Sequence, residues 1–366
     1  MSCDIPLFFP VKFQAALHSL YKRQVPEPAL QLLVGYLWNP EVVCVASRDG
    51  YLRILLEGTP YTIEQHLGNA PWCLCTGWDN IYVSLYGGGL RAYGLKQNLQ
   101  LKHELPTLET FLCLCSTSQT ICAGSNSGSF YVLSPELIEL HTTTIFNQAT
   151  SSFTYRNQLN CCVADCDTVY VGSEHGTLYR ILGPGSDPSV LTTYPTSAIF
   201  CLDIDRDGNL LYVGLEFGID VVRIDCCVSI RQVQFPESVW SISTRPNTAM
   251  LVGLQYNGIA IVTLYADDIH VECRFPEIGT CSAISRTRNN GWYAASNRSR
   301  IYHCAETGEL DSRYVADAIL EPDDHSCIPR RDIYDVLVIS HLRDSLRLLE
   351  TGTLSERLVH FGLWDV

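Results

Sequence analysis

Hydrophobic and polar residues alternate along much of this chain, in short runs separated by polar turns. Residues 168–182, TVYVGSEHGTLYRIL, show the pattern clearly, because two alternating runs flank the polar sequence SEHG. Alternation places every second side chain on the same face of an extended strand. This stretch therefore predicts a β-hairpin with a tight turn.

The same hairpin pattern occurs eight times along the chain. The residues that open the eight turns are Ala46, Ser84, Gly124, Gly172, Gly214, Gly253, Ala295 and Ile339, and consecutive copies are separated by 38 to 48 residues. A period of about 40 to 45 residues is typical of the blades of a β-propeller.

Each hairpin is flanked by two further apolar or mixed runs. A short apolar run such as AIFCLDI or SVWSIS precedes the hairpin, and a more polar run such as SIRQVQFP follows it. This order predicts a four-stranded unit with a buried inner strand and an exposed outer strand. The sequence therefore predicts an all-β protein, a single β-propeller of about eight four-stranded blades, with seven as the alternative if the first or last unit is incomplete.

The propeller is predicted to cover residues 31–362, between an N-terminal extension at 1–30 and a short tail at 363–366. Within the extension, IPLFFPVKF is a candidate closing strand for the last blade, although SERLVHF near the C-terminus fits the same place. The adjoining FQAALHSLYKR has apolar residues on one helical face. It is either a cap over one face of the propeller or a helix that binds a groove on a partner.

Cysteines recur at one position of the predicted inner strands. They are Cys73, Cys113, Cys161, Cys201, Cys281 and Cys327, with Trp240 and Gly35 at the equivalent position in the other units. One cysteine per blade would place the sulfurs on sheets about 10 Å apart, too far for a shared metal ion. We therefore predict a packing role for them, no metal site and no cofactor.

Over residues 31–362 the chain resembles the WD40-type β-propellers. The resemblance lies in the period and the strand pattern, because the family's tryptophan–aspartate pair is absent from the ends of the third strands; Trp78-Asp79 and Trp364-Asp365 lie elsewhere. The resemblance implies a scaffold that binds proteins or peptides. It leaves an alternative open, since one WD40-like family hydrolyses a methyl ester.

Composition narrows the location and the partners. Seventeen cysteines and an N-terminus without a cleavage signal predict a reducing compartment, cytoplasmic or nuclear. A net charge of −14 gives no strong nucleic-acid signal, because the average field repels phosphate. No apolar run is long enough to predict a transmembrane segment.

The run from Asp203 to Gly208, DIDRDG, matches the start of a calcium loop but lacks its later ligands, which favours a simple turn.

The two faces of the predicted propeller differ in their turns. The turns between first and second strands in the later units carry Arg245, Arg286, Arg288, Arg330 and Arg331, an arginine arc suited to acidic or phosphorylated partners. Neighbouring aspartates such as Asp205 and Asp332 could neutralise it. The turns between second and third strands carry large aromatic residues, Tyr86, Phe217 and Tyr256, which are candidates for partner contact on the opposite face.

The sequence as a whole predicts a non-enzymatic scaffold or adaptor subunit of a multiprotein complex. The alternative is a propeller hydrolase, for example an esterase, with its site at a channel mouth. No catalytic residue is predicted for it.

Overall fold

The structure is a computed structural model that describes residues 42–47, 49–56, 62–95, 99–145, 158–244, 249–264, 269–287, 291–296, 300–304, 310–314 and 333–339. Its regular structure there is β-sheet, apart from short 3-10 turns such as Pro276–Ile278. The strands form seven separate four-stranded antiparallel sheets. We call these sheets blades 1 to 7 and name the four strand positions A to D from the inside outward.

The strands of the blades, in the order A to D, are as follows. Blade 2 contains β4 (Pro71–Gly77), β5 (Asn80–Leu85), β6 (Gly89–Gly94) and β7 (Gln100–Leu105). Blade 3 contains β8 (Phe111–Ser116), β9 (Ile121–Ser125), β10 (Ser129–Leu133) and β11 (Glu139–Thr144). Blade 4 contains β12 (Leu159–Asp165), β13 (Thr168–Ser173), β14 (Thr177–Ile181) and β15 (Ser189–Thr193).

The remaining blades complete the ring. Blade 5 contains β16 (Ile199–Asp205), β17 (Leu210–Leu215), β18 (Gly218–Arg223) and β19 (Val228–Gln234). Blade 6 contains β20 (Val239–Ser243), β21 (Met250–Leu254), β22 (Ile259–Leu264) and β23 (Ile269–Phe275). Blade 7 contains β24 (Cys281–Arg286), β25 (Trp292–Ser296), β26 (Arg300–Cys304) and β27 (Leu310–Tyr314). Blade 1 contains β28 (Ile333–Ile339), β1 (Val42–Ser47), β2 (Tyr51–Leu56) and β3 (Thr62–His66).

The blade number is therefore seven, which confirms the alternative and corrects the count of eight. The predicted first and last units are parts of one blade, because β28 pairs antiparallel with β1 in the register Cys44↔Leu337. The run DVLVIS near residue 335 is thus an inner strand and not the second strand of an eighth blade. Strand β28 also contacts both β24 and β4, so the seven inner strands form a closed ring.

The predicted closing segments fall outside the described residues. These are IPLFFPVKF, FQAALHSLYKR and SERLVHF, together with Cys327 and the tail at 363–366. Within the described ranges the ring is closed by the pairing of a C-terminal inner strand with three N-terminal strands.

Burial follows the position of a strand in its blade. Every residue of the B strands β5 and β9 is buried, whereas the D strands β7 and β19 are largely exposed. A B strand is covered on both faces by neighbouring blades, which explains its continuous apolar sequence. A D strand has one edge and much of its surface in water, which explains its polar residues.

Adjacent blades share a repeated sulfur contact at their inner strands. The thiols of four A-strand cysteines lie against a backbone carbonyl of the next blade: Cys73 Sγ to Phe111 O at 3.7 Å, Cys113 Sγ to Leu159 O at 3.4 Å, Cys161 Sγ to Ile199 O at 4.0 Å and Cys201 Sγ to Val239 O at 3.5 Å. In blade 6 the hydroxyl of Ser241 takes this position, 3.5 Å from Cys281 O. The packing role predicted for these cysteines matches these contacts.

A glycine lies opposite three of these sulfurs, those of Cys113, Cys161 and Cys201, and makes the approach sterically feasible, whereas Ser84 lies opposite Cys73. A Cβ added at Gly124 would lie 2.7 Å from Cys113 Sγ and 2.8 Å from Leu159 Cβ of the next blade. A Cβ at Gly172 would lie 2.6 Å from Cys161 Sγ. The glycines that open the predicted turns are therefore required by close packing between blades. Their own backbone has ordinary strand conformation.

Two positions of the predicted cysteine ring are corrected by the register. Cys113 pairs with Gly124, but Cys281 pairs with Ser296, and Ala283 pairs with Ala295. Cys281 thus lies two residues earlier in its strand than the other cysteines. In blade 6 Ser241, and not Trp240, pairs with Gly253. Because the inner strand has a bulge at this point, counting residues along the sequence does not reveal which residues pair.

Substitution of a glycine at this contact tests the packing account. Gly214→Ala should lower the free energy of unfolding by about 1–3 kcal/mol, because the new methyl group overlaps Cys201 Sγ and lies 3.1 Å from Val239 Cγ1. The double variant Gly214→Ala/Cys201→Ala should be more stable than Gly214→Ala alone, since it removes the overlapping sulfur. Urea unfolding measures both.

Gly77→Ala is the matched control for this experiment. A Cβ at Gly77 would meet its nearest neighbour, Ser116 Cβ, at an ordinary 3.5 Å. Its free energy of unfolding should change by less than about 1 kcal/mol. A Gly214→Ala variant as stable as Gly77→Ala would contradict the packing account.

Candidate functional site

A β-bulge recurs near the start of the inner strands and, in blades 2 to 7, turns one residue toward the central channel. The ladder skips one residue between Phe111 and Cys113, and the equivalent irregularity recurs in the other blades. Bulges commonly redirect side chains near binding sites. The residues at the bulge whose side chains are described are Trp72, Leu112, Asn160, Phe200, Trp240 and Ser282; we call them the bulge ring.

The bulge ring lines a cavity of about 580 Å³. Further toward the opening, the cavity is lined by Tyr86, Asn126 and Glu174 from turns between B and C strands. The cavity therefore opens on the face that carries these turns, which we call the BC face. The connections from each D strand to the next A strand lie on the same face, because the strands of a blade alternate in direction.

Aromatic rings form two walls of this opening. The rings of Trp72 and Tyr86 lie 6.2 Å apart in blade 2, tilted by 35°. Phe200 of blade 5 and Trp240 of blade 6 are stacked, with centroids 6.4 Å apart and planes 25° from parallel. Trp240 is 36% exposed, although it belongs to the innermost strand of its blade. These rings present π-faces and apolar surface to whatever enters the opening.

Blade 4 contributes a carboxylate to the opening. The Nδ2 atom of Asn160 donates to Glu174 Oε2 at 2.6 Å and to Ile199 O at 3.1 Å, so the amide holds the carboxylate in place. Among the described residues that line the cavity, Glu174 is the only one with a formal charge. The opening thus combines several aromatic rings with one negative charge.

The predicted aromatic residues of the opposite face lie at the tips of turns on this BC face. Tyr86 is 63% exposed, Phe217 56% and Tyr256 68%. The first of them also lines the cavity, whereas Phe217 and Tyr256 belong to the turns of blades 5 and 6. The structure shows that these three side chains are exposed, and their role in partner contact stays a prediction.

These aromatic tips are carried by hydrogen-bonded turns. The backbone N–H of Tyr86 donates to Ala70 O at 2.8 Å, and that of Phe235 donates to Phe217 O at 3.1 Å. The buried carboxylate of Glu237 accepts bonds from the backbone N–H of Tyr256, at 2.6 Å, and of Asn257, at 3.2 Å. The turns are therefore fixed to the blade before any partner binds.

One residue of the predicted arginine arc is described, and its guanidinium is engaged between blades. The Nη2 atom of Arg286 donates to Ser243 O at 3.3 Å and to Ala249 O, so a blade 7 side chain binds the backbone of blade 6. The other arc residues, Arg245, Arg288, Arg330 and Arg331, lie outside the described residues, and because β28 is an inner strand, Arg330 and Arg331 belong to the connection that precedes it and not to a turn between first and second strands, as was predicted. On the same face Arg206 pairs with Asp165 at 3.3 Å. A docking role for the arc stays a prediction.

Asp203 lies close to the inter-blade contact made by Arg286. Its Oδ2 atom accepts a hydrogen bond from Thr244 Oγ1 at 2.8 Å and another from the Thr244 backbone N–H. Burial raises the pKa of Asp203 to about 6, although the Thr244 bonds and the Arg286 charge act in the opposite direction. The first residue of the calcium-like run is thus a half-buried group that is hydrogen-bonded across two blades. Within the described ranges no three His, Cys, Asp or Glu side chains are arranged to bind a metal ion.

Three thiols of the inner strands are held in the protonated form by a raised pKa. Burial raises the pKa of Cys161 and of Cys201, and it raises the pKa of Cys281 to about 12. A protonated thiol is a poor nucleophile. A packing role for these cysteines therefore agrees with the contacts between blades.

Sequence reasoning missed the bulge ring and the role of Glu174. A signal for the ring was present, because Trp72 and Phe200 each immediately precede a recurrent cysteine. Glu174 appeared only as one polar residue of the SEHG turn. Nothing along the chain relates it to aromatic residues that lie in other blades.

The raised pKa of Asp203 predicts a pH dependence of stability. Between its ordinary value of 3.8 and about 6 the folded state holds more protons at this site than the unfolded state, so ionisation destabilises the fold as pH rises. Asp203→Asn removes this contribution, and its free energy of unfolding should fall less than that of the wild type between about pH 4 and 6. Urea unfolding across this range measures the effect.

Asp207→Asn controls for the loss of one negative charge. Asp207 is exposed in the turn that follows the same strand. Its variant should keep the wild-type dependence on pH. If Asp203→Asn kept the same dependence as well, Asp203 would not be the titrating group.

Comparison with solved structures identifies the fold. A chain of the crystal structure of the mitotic checkpoint complex matches with a TM-score of 0.59 and 13% identity, over 75% of this chain and 84% of that one. The β-propeller domain of Swd1 (Cps50) from Myceliophteria thermophila matches with a TM-score of 0.55 and 11% identity, over 67% and 86%. The computationally designed Ika8 protein gives 0.56 and 12%, over 74% and 83%.

No protein-family model matches the sequence, and no curated protein matches it significantly. At identities this low the structural likeness establishes the fold alone. No helix in the described ranges is long and apolar enough to cross a membrane. The chain is a β-propeller, as the repeat period and strand pattern predict, with seven blades, and its fold is consistent with the resemblance to WD40-type propellers.

Proposed function

We propose that this chain is a non-enzymatic scaffold, an adaptor subunit of a multiprotein complex that binds its partners through the BC face. The observation that carries the proposal is the exposure of Tyr86, Phe217 and Tyr256, each more than half exposed at the tip of a turn. The WD40 propellers among the matched structures support a role in protein interaction in general.

The aromatic tips fit partner binding better than they fit stabilisation of the fold. A tyrosine in water contributes little to the core, whereas tyrosine and other aromatic residues are enriched among the residues that dominate binding energy at interfaces. Rigid turns such as the one that Glu237 holds reduce the conformational entropy that binding removes. The BC face therefore offers fixed anchors on a rigid support.

Three parts of the sequence interpretation stay predictions here. Acidic or phosphorylated partners at the arginine arc await a test on Arg245 and Arg288, which follow inner strands, because Arg286 also serves the contact between blades. A propeller hydrolase at a channel mouth stays the alternative, and turnover of ester substrates by the purified chain would support it. The cytoplasmic or nuclear location likewise stays a prediction.

Substitution of the aromatic tips tests the proposal. The triple variant Tyr86→Ser/Phe217→Ser/Tyr256→Ser should lose most of the proteins that co-purify stoichiometrically with the wild type, because each large aromatic anchor contributes about 1–3 kcal/mol or more. Its melting temperature should stay close to the wild-type value, since the tips are exposed. Quantitative mass spectrometry of gently purified complexes measures the loss.

The matched control removes equally exposed apolar residues from the outer circumference. Ile138, Val190 and Val228 lie in or beside D strands and are 63%, 60% and 53% exposed. The variant Ile138→Ser/Val190→Ser/Val228→Ser should retain the partners. Loss of partners from the control alone would place the interface on the circumference and contradict the proposal.

A further inference from the structure

The charge on the BC face has one sign among the described residues. The described parts of the connections and turns of this face carry Asp49, Glu109, Glu174, Glu216, Glu237 and Glu277 and contain no lysine or arginine; Arg48, Arg156, Arg298, Arg330 and Arg331 belong to the parts that lie outside the described residues. The chain as a whole has a net charge of −14. Long-range attraction therefore favours a positively charged partner at this face.

The cavity on this face has the chemistry that binds a single cation. Trp72, Tyr86, Phe200 and Trp240 line it, and aromatic faces attract ammonium and guanidinium groups. Glu174 supplies the opposite charge. Its carboxylate accepts one side-chain hydrogen bond among the described residues, from Asn160, and a carboxylate has about four acceptor sites.

The described lining residues favour a cation over an anion or a neutral apolar group. An anion in this cavity would meet the carboxylate of Glu174 and the negative faces of the rings, and no cationic side chain among the described lining residues would offset them. A neutral apolar group would leave the Glu174 carboxylate partly desolvated without a partner. A cation satisfies both features together.

Resting on the proposed scaffold function, we propose that the channel mouth on the BC face binds a cationic side chain, lysine or arginine, of a basic segment of the partner protein. The rings of the bulge ring hold the aliphatic stem and the cation, and Glu174, which Asn160 positions, pairs with its charge. The exposed tips around the mouth contact the rest of the segment.

Short peptides with one variable residue in an otherwise neutral sequence test this assignment on the full chain. Four peptides carry lysine, arginine, citrulline or norleucine at that position. Their binding is measured by saturation-transfer NMR, which suits weak binding. The lysine or the arginine peptide should bind at least about tenfold more tightly than its neutral counterpart. Equal binding of the charged and neutral peptides, or no saturation by either charged peptide, would overturn the assignment.

A pair of isosteric variants separates the local carboxylate from the general charge of the face. Glu174→Gln should weaken the charged peptide about tenfold or more and leave the neutral ones unchanged. Glu216→Gln changes the net charge equally, at the equivalent position of the turn in blade 5, and should keep wild-type binding. Wild-type affinity in Glu174→Gln, with its melting temperature unchanged, would contradict the assignment.

The same variants distinguish the inference from the scaffold function on which it rests. Glu174→Gln leaves Tyr86, Phe217 and Tyr256 in place. Retention of all cellular partners and of peptide binding by Glu174→Gln, together with loss of partners from the triple aromatic variant, would overturn the cation site alone. Retention of partners by the triple aromatic variant would overturn the proposed function itself.

Discussion

The close approach of neighbouring blades at their inner strands is the constraint on which the rest of the structure depends. In blades 2 to 6 this approach brings a cysteine or serine side chain of one blade against a backbone carbonyl of the next, across a glycine or another small residue. Such packing tolerates little change in volume. It also closes the ring, since the C-terminal strand β28 occupies the inner position of the blade begun by β1.

The same constraint shapes the candidate site. The bulge near each of these contacts turns one inner-strand residue toward the channel, while its neighbours, such as Phe111 and Ile199, pack between blades. Where that residue is tryptophan or phenylalanine, the mouth of the channel acquires aromatic walls. The turns above it are fixed by hydrogen bonds to the connections between blades, so recognition groups lie on a rigid rim.

Much of the architecture is visible in the sequence because it repeats. The spacing of the glycines predicts blades, and the mixed composition of the D strands predicts their exposure. The count failed at the ends, because pairing between β28 and β1 joins segments almost 300 residues apart and leaves no local pattern. The cysteine register failed at Cys281 for a related reason, since a bulge adds a residue that only the partner strand reveals.

The site was less predictable than the fold, because its members come from different blades. Glu174 is recognisable as part of a site only through its hydrogen bond with Asn160, fourteen residues away, and through the aromatic rings of blades 2, 5 and 6 that line the same cavity. Tyr86, Phe217 and Tyr256 were predictable because a large aromatic residue at a tight turn is conspicuous by itself. Arg286 was conspicuous too, but its guanidinium binds carbonyls of the neighbouring blade, which a sequence cannot reveal.

The most direct test of the account is a cryo-electron microscopy structure of the chain with its co-purified partner. The account predicts that the partner covers the BC face and inserts a lysine or arginine side chain beside Glu174. A partner bound to the outer strands, with the channel mouth on the BC face open to solvent, would contradict it.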